Sequence, residues 1–133
     1  MKLIVPLFVF ILFALGFSLY QEPELKESIK RGSEIYSDFC VNCHMDNGEG
    51  VPYSFPPLVA SDFLIKNRVA SIHAVKFGLQ GEIIVNGITY NNSMTSFGLE
   101  DDEIADVMNF VMNSWGNKQT KMVTIEEVQA INN

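Results

Sequence analysis

The chain has 133 residues, 47% of them hydrophobic and 19% charged, with a formal net charge of −7. That length allows one modest domain. The acid excess argues against nucleic-acid binding, which needs basic surface to displace counterions, and two cysteines are too few for a disulfide framework.

Residues 1–20 hold one Lys and no acidic residue. Behind Lys2 runs a nearly unbroken apolar stretch from Leu3 to Phe17. A positive end followed by an apolar run has the form of a secretory signal peptide. The run is also about long enough to span a bilayer, which takes roughly 17–25 residues. Ala14, Gly16 and Ser18 make only a weak cleavage site. Residues 1–20 are therefore expected to be a signal peptide or an N-terminal membrane anchor, and either one exports the chain. No cysteine follows the run, so no lipid-modified N-terminus is expected. The remaining residues carry 8 basic and 16 acidic side chains, a net of −8, which suits a basic partner or none.

Residues 21–27 have the composition of a polar linker. Helical periodicity runs from Leu25 to Phe39, with Ile29, Ile35, Tyr36 and Phe39 apolar. Gly32 interrupts it at roughly 1 kcal/mol relative to Ala, so a packing reason is expected. Asp46 to Pro57 is a loop rich in Gly and Pro. Ser61 to Phe77 has a moderate helical pattern, with Ser61 or Asp62 as N-cap, and Gly78 and Gly81 end it. Ile83 to Tyr90 is a β-hairpin about Asn86-Gly87, because a type I′ turn needs positive φ at both central residues. So small a hairpin must pack on something to persist.

Asp101 to Trp115 is the clearest helix. Ile104, Val107, Met108, Val111, Met112 and Trp115 recur on one face. Glu100 to Glu103 crowd the end where the helix dipole favours negative charge, and Gly116 closes the other end. Residues 118–133 form a C-terminal extension, and Thr124-Ile125-Glu126-Glu127 there has the form of a capping box for a last short helix. The fold class expected is a mostly α domain with one short β-hairpin.

Both cysteines lie in Cys40-Val41-Asn42-Cys43-His44. C-x-x-C-H is the attachment signature of c-type haem. Two intervening residues let both sulfurs reach one edge of the ring, and the next imidazole then faces the iron. Three other readings compete. A thioredoxin-like redox pair would want a preceding strand and a βαβ pattern, which are not visible. A structural zinc site usually takes four ligands, which Cys40, Cys43, His44 and His73 could supply at most, and it lacks a second cysteine pair. A chance match is the third, and the export signal argues against it.

The iron has a sixth position. His73, Met94, Met108, Met112 and Met122 lie downstream. Met108 and Met112 sit on the apolar face of the last long helix and are expected to be core filler. Met122 is in the tail, and Met45 adjoins His44 and cannot reach the opposite face. Met94 lies in the polar loop Asn91 to Gly98, where it has little to pack against unless it points inward. His73 is expected to be a helix-face histidine. His44 and Met94 are thus the expected metal ligands. A thioether opposite histidine favours reduced iron and keeps it six-coordinate, which argues for electron transfer over catalysis.

With these residues assembled, the chain resembles class I cytochrome c over residues 28–117, with a small cytochrome c-type helical haem domain implied. Gly32, Tyr36 and Cys40 match that family's pattern on the helix before the haem motif, where Gly lets the last helix cross closely. Val107 and Phe110 match places on that last helix. Pro56-Pro57-Leu58 matches its Pro-x-Leu. The resemblance implies that the Pro56 carbonyl accepts a hydrogen bond from His44 Nδ1 and that Leu58 touches the haem. Met94, followed by Phe97 and Gly98, falls at the family's methionine position. Thr95 departs from the Pro that many relatives have there, which loosens the loop. The hairpin and Asn113 to Asn117 look like a bacterial subset, found alone or as the cytochrome part of dehydrogenases, oxidases and copper nitrite reductases.

The function implied is electron transfer by one covalent haem c whose iron cycles between Fe(III) and Fe(II). Cys40 and Cys43 would hold the ring, His44 and Met94 the iron, and Pro56, Leu58, Tyr90 and Phe97 would shape a dry pocket. The chain would be a periplasmic carrier, or one anchored to the outer face of the inner membrane, meeting redox partners with a basic docking patch. Membrane contact would come only through residues 1–20. One alternative is a non-catalytic cytochrome c subunit of a periplasmic dehydrogenase, reductase or oxidase complex. Another is a haem enzyme or gas sensor with an open sixth site.

Overall fold

The computed structural model describes residues 23–119 and 121–133, and the expected signal peptide or anchor at 1–20 lies outside the described residues. Among the described residues no helix is long and apolar enough to cross a membrane. Helix α1 covers residues 23–39. The linker expected at 21–27 is thus helical from residue 23, and residues 21–22 lie outside the described residues. The reason is that the buried face of this first part carries Ser28 and Gly32, which no apolar pattern announces.

Six further elements follow the first helix and its haem-motif turn. The turn is α2 (Val41–His44), and then come α3 (Asp62–Lys66), α4 (Arg68–Phe77), β1 (Ile83–Val85), β2 (Ile88–Tyr90), α5 (Asp101–Asn113) and α6 (Ile125–Gln129). Gly32 is where α1 meets α5. A Cβ there would collide with the Asp106 carbonyl oxygen and come within 2.9 Å of Phe110 Cβ. The crossing is pinned by Asp106, which accepts from Ser28 Oγ at 2.6 Å and from Arg31 Nη2 at 2.8 Å. Tyr36, Ile72, Ile104, Met108 and Met112 fill the core between α1, α4 and α5.

The expected helix from Ser61 to Phe77 is two helices. Asn67 breaks it with φ −120° and ψ 52°, closing α3 through its N–H to the Phe63 carbonyl and opening α4 through its carbonyl to the Ser71 N–H. Asn competes with helical backbone bonding and tolerates such a joint. Ser61 caps α3 by accepting from the Leu64 N–H at 3.2 Å.

The hairpin pairs Val85 with Ile88 across Asn86 and Gly87, whose φ values of 50° and 78° suit a type I′ turn. It persists because Val85 and Tyr90 are buried. Asp62 and Asn86 also exchange two hydrogen bonds, of 2.9 and 2.7 Å, which tie the turn to α3.

Helix α5 ends at Asn113, two residues before the expected end. Trp115 has φ 53° and swings back onto Tyr36 and Phe110, with ring centroids 5.2 and 5.3 Å away. It also covers Gly48, where a Cβ would approach the indole to 2.6 Å. The fold-back places the indole in an aromatic cluster with Tyr36 and Phe110.

The C-terminal extension does not hang free. Val123 and Val128 are fully buried and join the same core as α5. Thr124 Oγ1 accepts from the Glu127 N–H at 3.3 Å, as a capping residue does. Arg68 grips Glu127 through two bonds of 2.6 and 2.8 Å. The buried amide of Asn109 donates to Val123 O at 2.9 Å and accepts from Val123 N at 2.7 Å. No described buried side-chain nitrogen or oxygen lacks a hydrogen-bond partner.

Candidate functional site

The site grows from the single turn α2. His44 N–H bonds to Cys40 O at 2.9 Å and Met45 N–H to Val41 O at 2.8 Å, so the motif is wound helically. Met45 then leaves the helix at φ 63°. Tyr36 Oη holds that exit by donating to Met45 O at 2.7 Å. Burial pushes the Tyr36 hydroxyl well above its usual range, so it stays a donor. The winding brings Cys40, Cys43 and His44 to one wall of an apolar cavity.

The loop after the motif supplies the support for His44. Gly50 has φ 62° and leaves no room for a Cβ, which would collide with Phe55 O. Its N–H bonds to His44 O at 3.0 Å. Pro56 is thereby set so that its carbonyl oxygen lies 3.0 Å from His44 Nδ1. With Nδ1 engaged, Nε2 is the nitrogen left for a metal. Burial lowers the His44 pKa, and the Pro56 contact opposes this in part, so the ring is held neutral as a ligand requires. No disulfide joins the two cysteines, so both sulfurs are available for attachment.

Two adjoining cavities, of about 350 and 90 Å³, share the walls Cys40, His44, Pro56, Leu79, Ile83 and Met94. The larger adds Cys43, Tyr90 and Phe97, and the smaller adds Leu58. The structure therefore brings all eight residues singled out by sequence to one place. No Asp, Glu, Lys or Arg lines either cavity. Buried Tyr90 closes the interior. Phe97 is 49% exposed and stacks on Phe39 at 5.6 Å, so it stands at the mouth rather than inside.

Met94 is held more firmly than Thr95 suggests. Its N–H and carbonyl both pair with Leu79, at 2.8 Å each. Gly78, at φ 88°, lets the loop approach, because a Cβ there would lie 2.7 Å from Met94 O. Of the other sulfur and histidine candidates, only Met108 reaches either cavity. His73 stacks on Phe77 at 5.0 Å and lines neither cavity. Met112 is buried in the core, and Met108, equally buried, forms only a wall of the smaller cavity.

Leu79, Ile83 and Phe39 are wall residues that sequence reasoning missed. Ile83 had a signal: in β1 residues Ile83 and Val85 face inward while Ile84 is exposed, the period-2 pattern of a half-buried strand. Phe39 had one too, as the apolar neighbour of Cys40, whereas Leu79 reaches the cavity only through its pairing with Met94.

A neutral imidazole, a thioether, two thiols and apolar walls are a donor set suited to an iron porphyrin held by its edge. The comparisons agree. The cytochrome c family profile matches residues 29–115. Cytochrome c-552 of Thermus thermophilus is 41% identical over 109 residues, which cover 75% of this chain and 82% of that protein. The cytochrome c subunit of a quinone alcohol dehydrogenase from Gluconobacter oxydans is 35% identical over 104 residues, 75% of this chain but only 21% of that protein. The chain belongs to the cytochrome c family, and its cofactor is a covalently attached haem c.

Proposed function

We propose that this electron-transfer protein holds its haem through thioether links at Cys40 and Cys43 and through His44 and Met94 as axial ligands. One observation carries the reading: His44 and Met94 line the same two cavities, with the thiols beside His44. When bound, the haem supplies a one-electron Fe(III)/Fe(II) couple. The work of the chain is to keep its own ligands fixed. Pro56 orients the imidazole and raises its basicity. The Leu79 pairing keeps Met94 in reach, and Leu58, Tyr90 and Phe97 limit water. A filled sixth position leaves no place for oxygen or peroxide, so the protein is a carrier and not an enzyme. Residues 28–117 supply the haem domain, and residues 118–133 brace it.

The chain acts outside the cytoplasm, in the periplasm or anchored there through residues 1–20. Its redox partner has a basic docking patch, a reading supported by the net charge of −8 beyond residue 20. Residues 50–61 and 83–99, which build much of the cavity wall, contain no charged side chain. The carboxylates therefore steer from a distance, while contact itself is uncharged. A second reading, a fixed subunit relaying electrons for a dehydrogenase, has the likeness to the alcohol dehydrogenase subunit in its favour. Co-purification with a dehydrogenase would favour it.

The test of the ligand set is a pair of variants. Met94→Ala is expected to abolish the weak far-red band of sulfur-ligated ferric haem, and Met108→Ala to keep it. The reverse result would overturn the assignment.

A further inference from the structure

Lys76, in the last turn of α4, meets three separate segments. Its Nζ donates to Val128 O in α6 at 2.9 Å and pairs with Asp101 Oδ1 at the start of α5 at 3.1 Å. Its backbone carbonyl accepts from Ser96 Oγ at 2.8 Å, two residues beyond Met94. The side chain is only 18% exposed. Gly78 and Leu79 follow at once and carry the close approach and the paired backbone bonds to Met94. One short stretch thus joins the C-terminal extension, α5 and the methionine loop.

We infer that Lys76 is a positioning residue that couples the C-terminal extension to the Met94 loop and so keeps the loop closed on the iron. The inference rests on the reading of Met94 as sixth ligand. The extension lies beyond residues 29–115, the part that matches the family profile. Thr95 leaves free a φ that a proline would fix. The loop therefore depends on outside anchors. Asn92 Nδ2 ties the start of the loop to Ser54 O at 2.9 Å. Two further anchors, Leu79 and the Lys76 carbonyl that accepts from Ser96, are set by the end of α4. That end is held in turn by a charged donor on Val128 O and Asp101, the stronger class of hydrogen bond when shielded from water. Arg68 secures the same extension through Glu127 but sits at the far end of α4. Loss of Arg68 loosens the extension and reaches the methionine loop only indirectly, through the Lys76 contact with Val128.

The test uses the full haem-loaded chain and imidazole as probe. Imidazole enters the sixth position only when the loop opens, so its apparent affinity reports the open fraction. Lys76→Met keeps the apolar stem and removes the ammonium. It is expected to tighten imidazole binding to the ferric protein by about tenfold, as one buried charge-assisted bond warrants. It should also make the far-red band disappear at a lower denaturant concentration than helical circular dichroism. Arg68→Met is expected to lower the melting temperature and to tighten imidazole binding in the same direction as Lys76→Met but by less, because it acts on the loop only through the extension. Ser96→Ala, which spares the core, should move affinity in the same direction as Lys76→Met if that variant folds poorly. Unchanged affinity in Lys76→Met, or in Ser96→Ala where it must stand in, would overturn the inference. So would an equal gain in Arg68→Met. Met94→Ala separates the two claims: if it keeps the far-red band, the ligand reading fails, whatever Lys76 does.

Discussion

His44 Nδ1 lies 3.0 Å from the Pro56 carbonyl oxygen, and the two residues are brought together by the Gly-rich loop between them. With His44 as the proposed iron ligand, that contact would orient the ring and make it a stronger donor, which favours Fe(III). Pro56→Ala frees φ at position 56 and slackens the contact. The expected outcome is a higher reduction potential with the far-red band retained, read by redox titration. An unchanged or lower potential would argue that the carbonyl does not tune the imidazole.

Gly32→Ala tests the helix crossing. The added methyl meets the Asp106 carbonyl and Phe110, so α1 and α5 must separate. Overpacking of this kind costs about 2–3 kcal/mol. Guanidinium unfolding of the haem-loaded protein should show that loss, and a variant as stable as the parent would contradict the crossing described.

Glu127 makes the extension sensitive to acid. Its hydrogen bonds to Arg68 hold the carboxyl below its ordinary value of 4.5, against the opposing effect of burial. A depressed carboxylate pKa stabilises the fold above the unfolded-state value and loses that contribution as pH falls through the folded one. Glu127→Gln should therefore cost about 1–2 kcal/mol at neutral pH, typical of bonds to charged groups. The difference from the parent should shrink in the window below 4.5. Denaturant midpoints at neutral and acid pH measure it.

The parts of this molecule legible in sequence are those decided by neighbours in the chain. Cys40 to His44 names the cofactor chemistry within five residues. Asn86-Gly87 fixes a hairpin because its φ requirement is local, and the α5 periodicity is strong. The misreadings fall where distant contacts decide. Asn67 breaks the helix between Ser61 and Phe77 at a residue with only a weak breaking signal. Trp115 leaves α5 because Tyr36 and Gly48 await it from another segment. Val123 and Val128 look like tail residues until Asn109 and Arg68 draw them into the core. Among the wall residues, Leu79 is invisible in sequence for the same reason.

Electron exchange with a basic redox protein should be faster at low salt, since the acid excess acts at range and is screened over about 8–10 Å at ordinary ionic strength. The rim of the cavity is uncharged, so the dependence should be moderate and should level off at high salt. Stopped-flow rates across an ionic-strength series give the slope, and a flat series would remove the steering role.

The central claim is that one covalent haem, closed on both faces by His44 and Met94, passes single electrons. The most direct measurement is a redox titration of the purified haem-loaded chain followed by absorbance, with and without carbon monoxide. The account predicts Soret and α bands that survive acid–acetone extraction, one single-electron wave, and no rapid carbon monoxide binding. Absent haem bands, or a five-coordinate ferrous spectrum that takes up carbon monoxide at once, would contradict it.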